Sequence, residues 1–211
     1  MLTLSDIRSR VRTRFEHSTS TRWSDDDIDA AINEGLGELS EATRYFERWV
    51  SLPLKEKRTY YDLRGLMPET VLSVTAVWHE SGVRWLAPIT LKDMTYEKWE
   101  ESRGNPHSWF LRGQWWLGVW PTPSADLDEW IRVYFTGVAP PLLEDGEEPA
   151  QLPDEFVPAL EEYAVYDLQQ REGETDKALY WWGKYKEREA ALERHMAQRV
   201  TTARTGVIGR A

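Results

Sequence analysis

Apolar residues recur at three- and four-residue steps through the first fifty positions, a spacing that predicts amphipathic helices. The first helix begins at the capping pair Thr3 and Asp6, and its apolar stripe consists of Leu4, Ile7, Val11 and Phe15. Ser24 is the predicted N-cap of a second helix that continues to about residue 50. Gly35 and Gly37 each weaken that helix by about 1 kcal/mol relative to Ala. Either another part of the chain packs close to them, or the helix tolerates them.

From Pro53 to about residue 137 the period of the apolar positions shifts towards two, which indicates β-strands. The strands are short and are separated by tight turns, so antiparallel pairing is favoured. The expected strands lie at 59–63, 71–78, 83–86 and 130–135, with a Trp-rich hairpin between 108 and 120.

Helical spacing returns after a Pro- and acid-rich linker at 138–151. One helix follows Leu152 and has Gly173 as its predicted C-cap, and a last helix runs from about Glu174 to Val200. The final segment, 201–211, holds two Arg and no acidic residue. We expect this segment to be flexible in the isolated chain.

The order of helices, strands and helices predicts an α+β protein. Its two chain ends, 1–52 and 152–200, are expected to build a helical platform. Residues 53–151 are expected to form an inserted antiparallel β module, and 201–211 a flexible basic tail.

Composition excludes several classes of function. The 211 residues include no Cys, so thiolate metal sites, Cys nucleophiles and disulfides are absent. The net charge of −10 opposes the counterion-releasing contacts by which proteins grip duplex DNA. No apolar run is long enough to span a membrane, and the N-terminus lacks the form of a signal peptide. We therefore expect a protein made and kept in a cytosol unless an assembly carries it out.

Catalytic motifs are missing as well. The four His residues show no metal-ligand spacing, and there is no phosphate-binding loop or nucleophile elbow. The acidic run Asp25–Asp27 could suggest a metal site, but its place in the first turn of a helix explains it more simply. We expect no catalytic residue, metal or cofactor. A hydrolase that uses a carboxylate pair stays open as a hypothesis, because acidic residues are abundant.

The twelve Trp residues are the strongest functional signal in the composition. Trp115 and Trp116 are neighbours on one strand and point to opposite faces, and Trp109 lies across the hairpin from them. At least one of these three rings must leave the core. A subunit or tail interface would cover it, and stacking on sugars or bases is the alternative. Trp181 and Trp182 likewise diverge on the last helix, so one of them is a candidate contact with a neighbouring chain.

Several segments, taken in order, resemble the head–tail connector (adaptor) proteins of tailed bacteriophages. The resemblance covers roughly residues 20–190, and the order and spacing of the segments carry it. The segments are Trp23–Glu34, Tyr61–Leu63 with 68–74, Gly104-Asn105-Pro106 and its aromatic hairpin, Val119-Trp120-Pro121-Thr122-Pro123, Val133-Tyr134, Pro140-Pro141-Leu142, and Leu152-Pro153-Asp154-Glu155-Phe156 with Leu160, Tyr163 and Ala164.

The resemblance implies a structural virion protein and not an enzyme. Such proteins form a ring, commonly of twelve copies, beneath the portal protein, where they join head to tail and extend the DNA channel. The implied partners are further copies of the chain, the portal, tail or nozzle proteins, and double-stranded DNA that passes without specific binding. The implied location is the neck of the virion, after assembly in the host cytoplasm. The alternative that we keep is a Trp-rich carbohydrate-binding module.

Two groups of contact residues follow from the resemblance and from the aromatic pattern. The C-terminal part of these connectors often reaches the portal, so the expected portal contacts are Trp181, Arg199, Arg204 and Arg210. The expected contacts with a neighbouring subunit or with the tail are Trp109, Trp115 and Trp116.

Overall fold

A computed structural model of the chain describes residues 2–15, 23–65, 70–94, 99–124 and 129–208, with side chains described as far as Arg199. The chain divides into two compact units. The helical unit combines Met1–Phe46 with Val138–Ala211, and the β unit is Glu47–Gly137. The predicted α+β fold is confirmed, because helices build the first unit and mostly antiparallel sheets build the second.

The described residues of the helical unit form four helices. They are α1 (Leu4–Arg14), α2 (Asp25–Thr43), α3 (Pro158–Glu172) and α4 (Thr175–Ile208). The caps predicted at Thr3 and Ser24 are confirmed, since each hydroxyl accepts the backbone N–H three residues later and a carboxylate returns the bond. Gly173 ends α3 in the left-handed conformation, with φ of 82°, as its sequence position predicts.

The core of the helical unit requires a glycine on α2. A Cβ at Gly35 would lie 2.8 Å from Cδ1 of Tyr163 on α3, which no side chain tolerates. At Gly37 the nearest atom, a methyl carbon of Val138, would be 4.0 Å away. The close approach therefore explains Gly35, and simple tolerance explains Gly37.

Two consecutive glutamates of α3 are buried in the helical unit and neutralised there. Arg10 and Arg14 of α1 donate to the carboxylate of Glu161 at 3.2 and 2.6 Å. Arg188 of α4 donates to Oε2 of Glu162 at 2.8 Å. Because burying an unpaired charge is costly, these pairs tie α1 and α4 to α3 in one register.

In the β unit, the residues that the structure describes form three sheets, and a short 3₁₀ helix lies at Trp99–Glu101. The strands are β1 (Glu47–Pro53), β2 (Tyr60–Asp62), β3 (Val71–His79), β4 (Arg84–Trp85), β5 (Ala87–Pro88), β6 (Arg103–Gly104), β7 (Ser108–Arg112), β8 (Trp116–Trp120), β9 (Thr122–Pro123) and β10 (Trp130–Gly137). One sheet has the order β1-β10-β3-β4 and the second has the order β2-β8-β7-β5, while β6 and β9 form a two-stranded sheet.

The prediction that the second helix continues to residue 50 was wrong. It ends at Thr43, where Arg44 takes the left-handed conformation with φ of 52°. The chain then enters β1, which pairs antiparallel with β10 along its whole length. Pairing with a distant strand thus overrides the helical spacing of the local apolar residues.

The boundaries of the two units also differ from those expected. The chain passes between the units at Phe46–Glu47 and at Gly137–Val138, because β1 and β10 pair with each other in one sheet of the β unit. The acidic segment after Val138 belongs to the helical unit, where the Asn33 side chain both donates to and accepts from the Leu142 backbone at 2.9 and 2.7 Å. The backbone of α4 is helical beyond residue 200, through Ile208, whereas 209–211 lie outside the described residues. The flexibility of 201–211 stays a prediction.

Candidate functional site

The predicted Trp-rich hairpin is formed by β7 and β8, and it places its three Trp rings in different surroundings. Trp109 is only 7% exposed and belongs to the core of the β unit. Its indole therefore offers little contact surface, and the contact role expected of Trp109 stays a prediction. Trp115 packs half-buried against the same core, and Trp116 is 40% exposed.

Trp116 lies in a basic and aromatic setting. The Arg64 guanidinium carbon lies 5.9 Å from the centre of its ring. A shallow depression of about 400 Å³ is lined by Tyr60, Arg112 and Trp116, and the Arg112 guanidinium lies 5.6 Å from the Tyr60 ring. This setting suits a contact with another protein, and the contact roles of Trp115 and Trp116 stay predictions.

The largest set of exposed aromatic rings lies elsewhere, on one face of the β1-β10-β3-β4 sheet. Along β10, Ile131, Val133 and Phe135 are buried, so the residues between them point to the opposite face. Directly paired residues of antiparallel strands share a face, and the register pairs Trp49 with Tyr134 and aligns Arg132 with Trp78 and Trp85. We call this surface the aromatic face, and it consists of Trp49, Trp78, Trp85, Trp130, Arg132 and Tyr134.

The aromatic face is both exposed and internally packed. Trp49, Trp85 and Trp130 are 53%, 52% and 44% exposed. The Trp85 ring lies 5.0 Å from that of Trp78 and 5.3 Å from that of Tyr134. Exposed apolar patches of this kind are typical of interaction surfaces.

One cation is fixed within this surface. The Arg132 guanidinium lies 4.7 Å from the centre of the Trp49 ring, and its Nε donates to Glu80 at 2.5 Å. The hydrogen bond to Glu80 raises the pKa of Arg132. Arginine and tryptophan together are typical of the parts of protein interfaces that contribute most to binding.

The tilt of the rings bears on whether the partner of this face is another protein or a glycan. The Trp85 plane is inclined by 68° to that of Trp78 and by 55° to that of Tyr134. A sugar chain stacks on exposed flat ring faces, whereas Trp85 packs edge against face with Trp78 and at a tilt against Tyr134. The arrangement favours a protein partner over a glycan.

A buried histidine supports the turn that presents Trp85. His79 is fully buried, and its Nδ1 accepts the backbone N–H of Gly82 at 3.0 Å. Its Nε2 must then carry the proton, which it donates to Glu129 at 2.9 Å. A Cβ at Gly82 would lie 2.3 Å from Nδ1. The short turn between β3 and β4 therefore requires both His79 and Gly82.

In the helical unit, Trp181 is half-buried and stacks under Arg14, whose guanidinium lies 4.9 Å from the ring. With Tyr180 and Gln169 these residues line a shallow depression of about 470 Å³. Within the described part of the chain, the buried Oε1 of Gln169 has no hydrogen-bond partner.

The other three expected portal contacts come later in the chain. Arg199 is exposed on α4. The backbone of Arg204 is also in α4, but its side chain lies outside the described part, as does all of Arg210. The portal roles of Trp181, Arg199, Arg204 and Arg210 stay predictions.

Sequence reasoning missed the aromatic face. Trp49 was assigned to a helix, and Trp85 and Trp130 were treated as ordinary strand residues. The alternation of Trp130, Arg132 and Tyr134 with three buried residues was the available signal, because large rings on the outward positions of a strand need cover. The positions of Trp49 and Trp85 on the same face depend on strand register, which the sequence does not reveal.

Charge is distributed unequally between the two units. The helical unit contains 15 Lys and Arg against 24 Asp and Glu, whereas residues 47–137 contain 11 against 12.

Among the side chains that the structure describes, no group of three or more acidic or His residues is placed to hold a metal ion. The described helices include none that is long and apolar enough to cross a membrane.

Comparison with known proteins identifies the family. None of the curated proteins compared with the chain matches it. The family model described as SU10 adaptor protein matches residues 2–209, which is nearly the whole chain. The chain therefore belongs to the SU10 adaptor protein family and is a structural adaptor of a bacteriophage virion.

Proposed function

We propose that this protein forms a ring beneath the portal that joins the phage head to the tail and extends the DNA channel. The exposed aromatic face carries the proposal. Three half-exposed indoles on one sheet face form an apolar patch of the kind that is often an interaction surface. Membership of an adaptor family supports a protein surface as the cover.

The physics of a ring supports this role. Contacts around a cyclic ring are heterologous, so each copy needs two different lateral surfaces. The aromatic face provides one of them. The excess of acid in the helical unit provides weak repulsion of phosphate, which suits a wall along which DNA must slide without being held.

The partners proposed are further copies of the chain, in a ring of twelve, the portal, and tail or nozzle proteins. The portal contact is assigned to the C-terminal part of the chain, α4 and residues 201–211, with Trp181, Arg199, Arg204 and Arg210. Trp115 and Trp116 are assigned to a neighbouring subunit or the tail. The protein acts at the neck of the virion and is assembled in the host cytoplasm.

Electron microscopy of the assembled particles tests the proposal. A ring of this chain is expected at the portal vertex, with density for both units in each copy. Particles are the sample of choice, because a chain that assembles only on the portal would be monomeric in solution. A neck without this chain would overturn the proposal. Tight glycan binding by a stable monomer would support the carbohydrate-binding module, and turnover abolished by one Asp or Glu substitution would support a hydrolase.

A further inference from the structure

A strained turn carries Trp85 onto the aromatic face. The turn joins β3 to β4 and holds Val83 at φ of 47°, a left-handed conformation that β-branched residues rarely adopt. The strand β4 that follows is two residues long and pairs with β3 only at Trp78–Trp85 and His79–Arg84. Strain of this kind persists only where the surrounding contacts hold it. The turn therefore depends on the few bonds that close it.

One buried side chain closes the turn. The His79 imidazole is fully buried, and its Nδ1 accepts the backbone N–H of Gly82 at 3.0 Å. An imidazole nitrogen accepts a hydrogen bond only while it carries no proton, and a charged histidine carries a proton on each nitrogen. The proton that Nε2 donates to Glu129 at 2.9 Å is thus the only one the ring holds while the turn is closed. The closed turn requires a neutral His79.

Charged groups meet the ring from two sides. The Glu129 carboxylate, at Nε2, would stabilise a charged ring. Arg84 is the cross-strand partner of His79, and a Cβ at Gly82 would lie 2.3 Å from the His79 Nδ1 and 3.4 Å from the Arg84 Nε. Like charges so close together disfavour each other. Glu129 offsets Arg84, but it cannot restore the acceptor that the Gly82 N–H would lose.

The other neighbours of the ring contribute little charge. Ile131, which pairs with His79 on β10, is fully buried and apolar. Arg132 pairs in register with Trp78 and therefore lies on the opposite face of the sheet, where it donates to Glu80 at 2.5 Å. A second proton on His79 would thus be placed in an apolar site beside Arg84, at the cost of the bond that closes the turn.

We propose that His79 is an acid-sensitive switch of the turn between β3 and β4. A proton taken up at its Nδ1 breaks the bond to the Gly82 N–H, and the turn opens. Trp85 then leaves its packing against Trp78 and Tyr134. The open turn binds one proton more than the closed turn, so acid favours the open form.

The switch acts on the surface that carries the proposed function, but it belongs to the single chain and does not depend on a ring. Histidine in contact with water takes up a proton at about pH 6.5. The aromatic face is therefore complete in neutral solution and loses Trp85 in more acid solution. The proton is released again when the pH rises, so the change is reversible.

Nuclear magnetic resonance of the natural chain with nitrogen-labelled histidine tests the premise. At about pH 8 the His79 ring should carry its proton on Nε2 and none on Nδ1. The His79→Asn variant identifies the signal, since it lacks that ring. A ring protonated on Nδ1 at this pH would overturn the proposal, because it could not accept from Gly82.

The paired rings of Trp78 and Trp85 report on the opening itself. Their centres are 5.0 Å apart, close enough to give a coupled circular dichroism signal, which Trp78→Phe identifies by its loss. Lowering the pH from about 7.5 to about 5 should remove this signal, and raising the pH should restore it. A coupled signal that persists at the lower pH would overturn the proposal.

His79→Asn is also the matched variant for the acid step. Its side-chain oxygen offers an acceptor near the place of Nδ1 and takes up no proton, so the Trp signal should be the same at both pH values. His107→Asn is the control, because His107 is exposed and packs against Trp120. This variant should lose the signal in acid as the natural chain does. An equal loss in His79→Asn would assign the change to another group and contradict the proposal.

Hydrogen exchange of the natural chain decides the question if His79→Asn does not fold. The Gly82 amide should lose protection by about tenfold in acid, as expected for the loss of one hydrogen bond. Ile89, whose N–H donates to the Trp109 carbonyl at 2.9 Å in the second sheet, is the reference for the intrinsic effect of pH. A constant ratio of protection between Gly82 and Ile89 would show that the turn stays closed and that His79 is no switch.

Discussion

The carboxylate of Glu161 shows how the helical unit tolerates a buried charge. The side chain is 2% exposed and receives Arg10 and Arg14 from α1. Its burial is compensated only while both guanidinium groups stay in place, because an unpaired buried charge is destabilising.

Replacing Glu161 by Gln is expected to lower the free energy of unfolding by about 1–3 kcal/mol, the usual cost of losing hydrogen bonds to a charged group. Urea denaturation followed by circular dichroism measures it. Glu187→Gln is the matched control, since Glu187 is 72% exposed and forms an ion pair with the neighbouring Lys184 on the helix surface. That variant should stay within about 0.5 kcal/mol of the natural chain. Equal effects of the two substitutions would contradict the proposed role of Glu161.

Two glycines of one helix should respond to Ala in opposite directions. At Gly35 a Cβ meets the Tyr163 ring at 2.8 Å, so Gly35→Ala should lower the melting temperature. At Gly37 there is room, so Gly37→Ala should raise the stability by about 0.5–1 kcal/mol through better helix propensity. Thermal denaturation of the two variants gives the comparison. A stable Gly35→Ala protein would mean that the Tyr163 ring moves away easily.

Among the elements, those defined by local hydrogen bonds could be predicted and those defined by distant partners could not. The caps at Thr3, Ser24 and Gly173 are readable from the sequence, because each cap bonds only to residues a few positions away. The strand β1 was mistaken for helix, since its partner β10 is about eighty residues distant. The aromatic face was missed for the same reason, because it exists only once four strands are in register.

The turn between β3 and β4 should lose its conformation if Gly82 gains a side chain. Gly82→Ala places a Cβ against His79, which is buried and bonded to Glu129. We expect lower stability and a changed near-ultraviolet circular dichroism signal from the Trp78–Trp85 pair. Gly65→Ala is the control, because open space surrounds a Cβ at that position. An unchanged Trp signal in Gly82→Ala would show that the turn adapts.

The C-terminal end of α4 is expected to serve assembly more than folding. Deleting residues 201–211 should abolish docking on the portal while leaving the circular dichroism spectrum and the melting temperature nearly unchanged. Co-purification with the portal measures docking. Arg188→Gln is the control, because it removes a contact to Glu162 within the helical unit and should lower the melting temperature while docking is kept. Docking by the shortened chain would contradict the assignment of this segment.

At the scale of the whole molecule, stability should fall in alkaline solution. Burial raises the pKa of Tyr45 to about 12, and it raises the pKa of Tyr163 and Tyr185 as well. An unfolded tyrosine titrates near pH 10, so the unfolded chain releases these protons first. This part of the stability is present below about pH 10 and is lost as the pH rises towards about 12.

Denaturation curves at a series of pH values between about 9 and 12 should show this loss. In Tyr45→Phe the stability should fall less steeply with pH, because the variant lacks the Tyr45 hydroxyl proton that the unfolded chain would release first. Tyr180→Phe should leave the decline as it is, since Tyr180 is 59% exposed. If the free energy of unfolding fell equally steeply with pH in all three proteins, burial of Tyr45 would not be the cause of the loss of stability in alkaline solution.

The strands that open and close the β unit are neighbours. Glu47, its first residue, pairs with Thr136, next to its last, and such paired residues lie about 5 Å apart. A spliced chain that ran directly from Phe46 to Val138 would need only a tight turn to bridge the gap. Recombination between phages could therefore replace or remove the β unit. The partner that the adaptor binds would then change, while the helical unit would stay as it is.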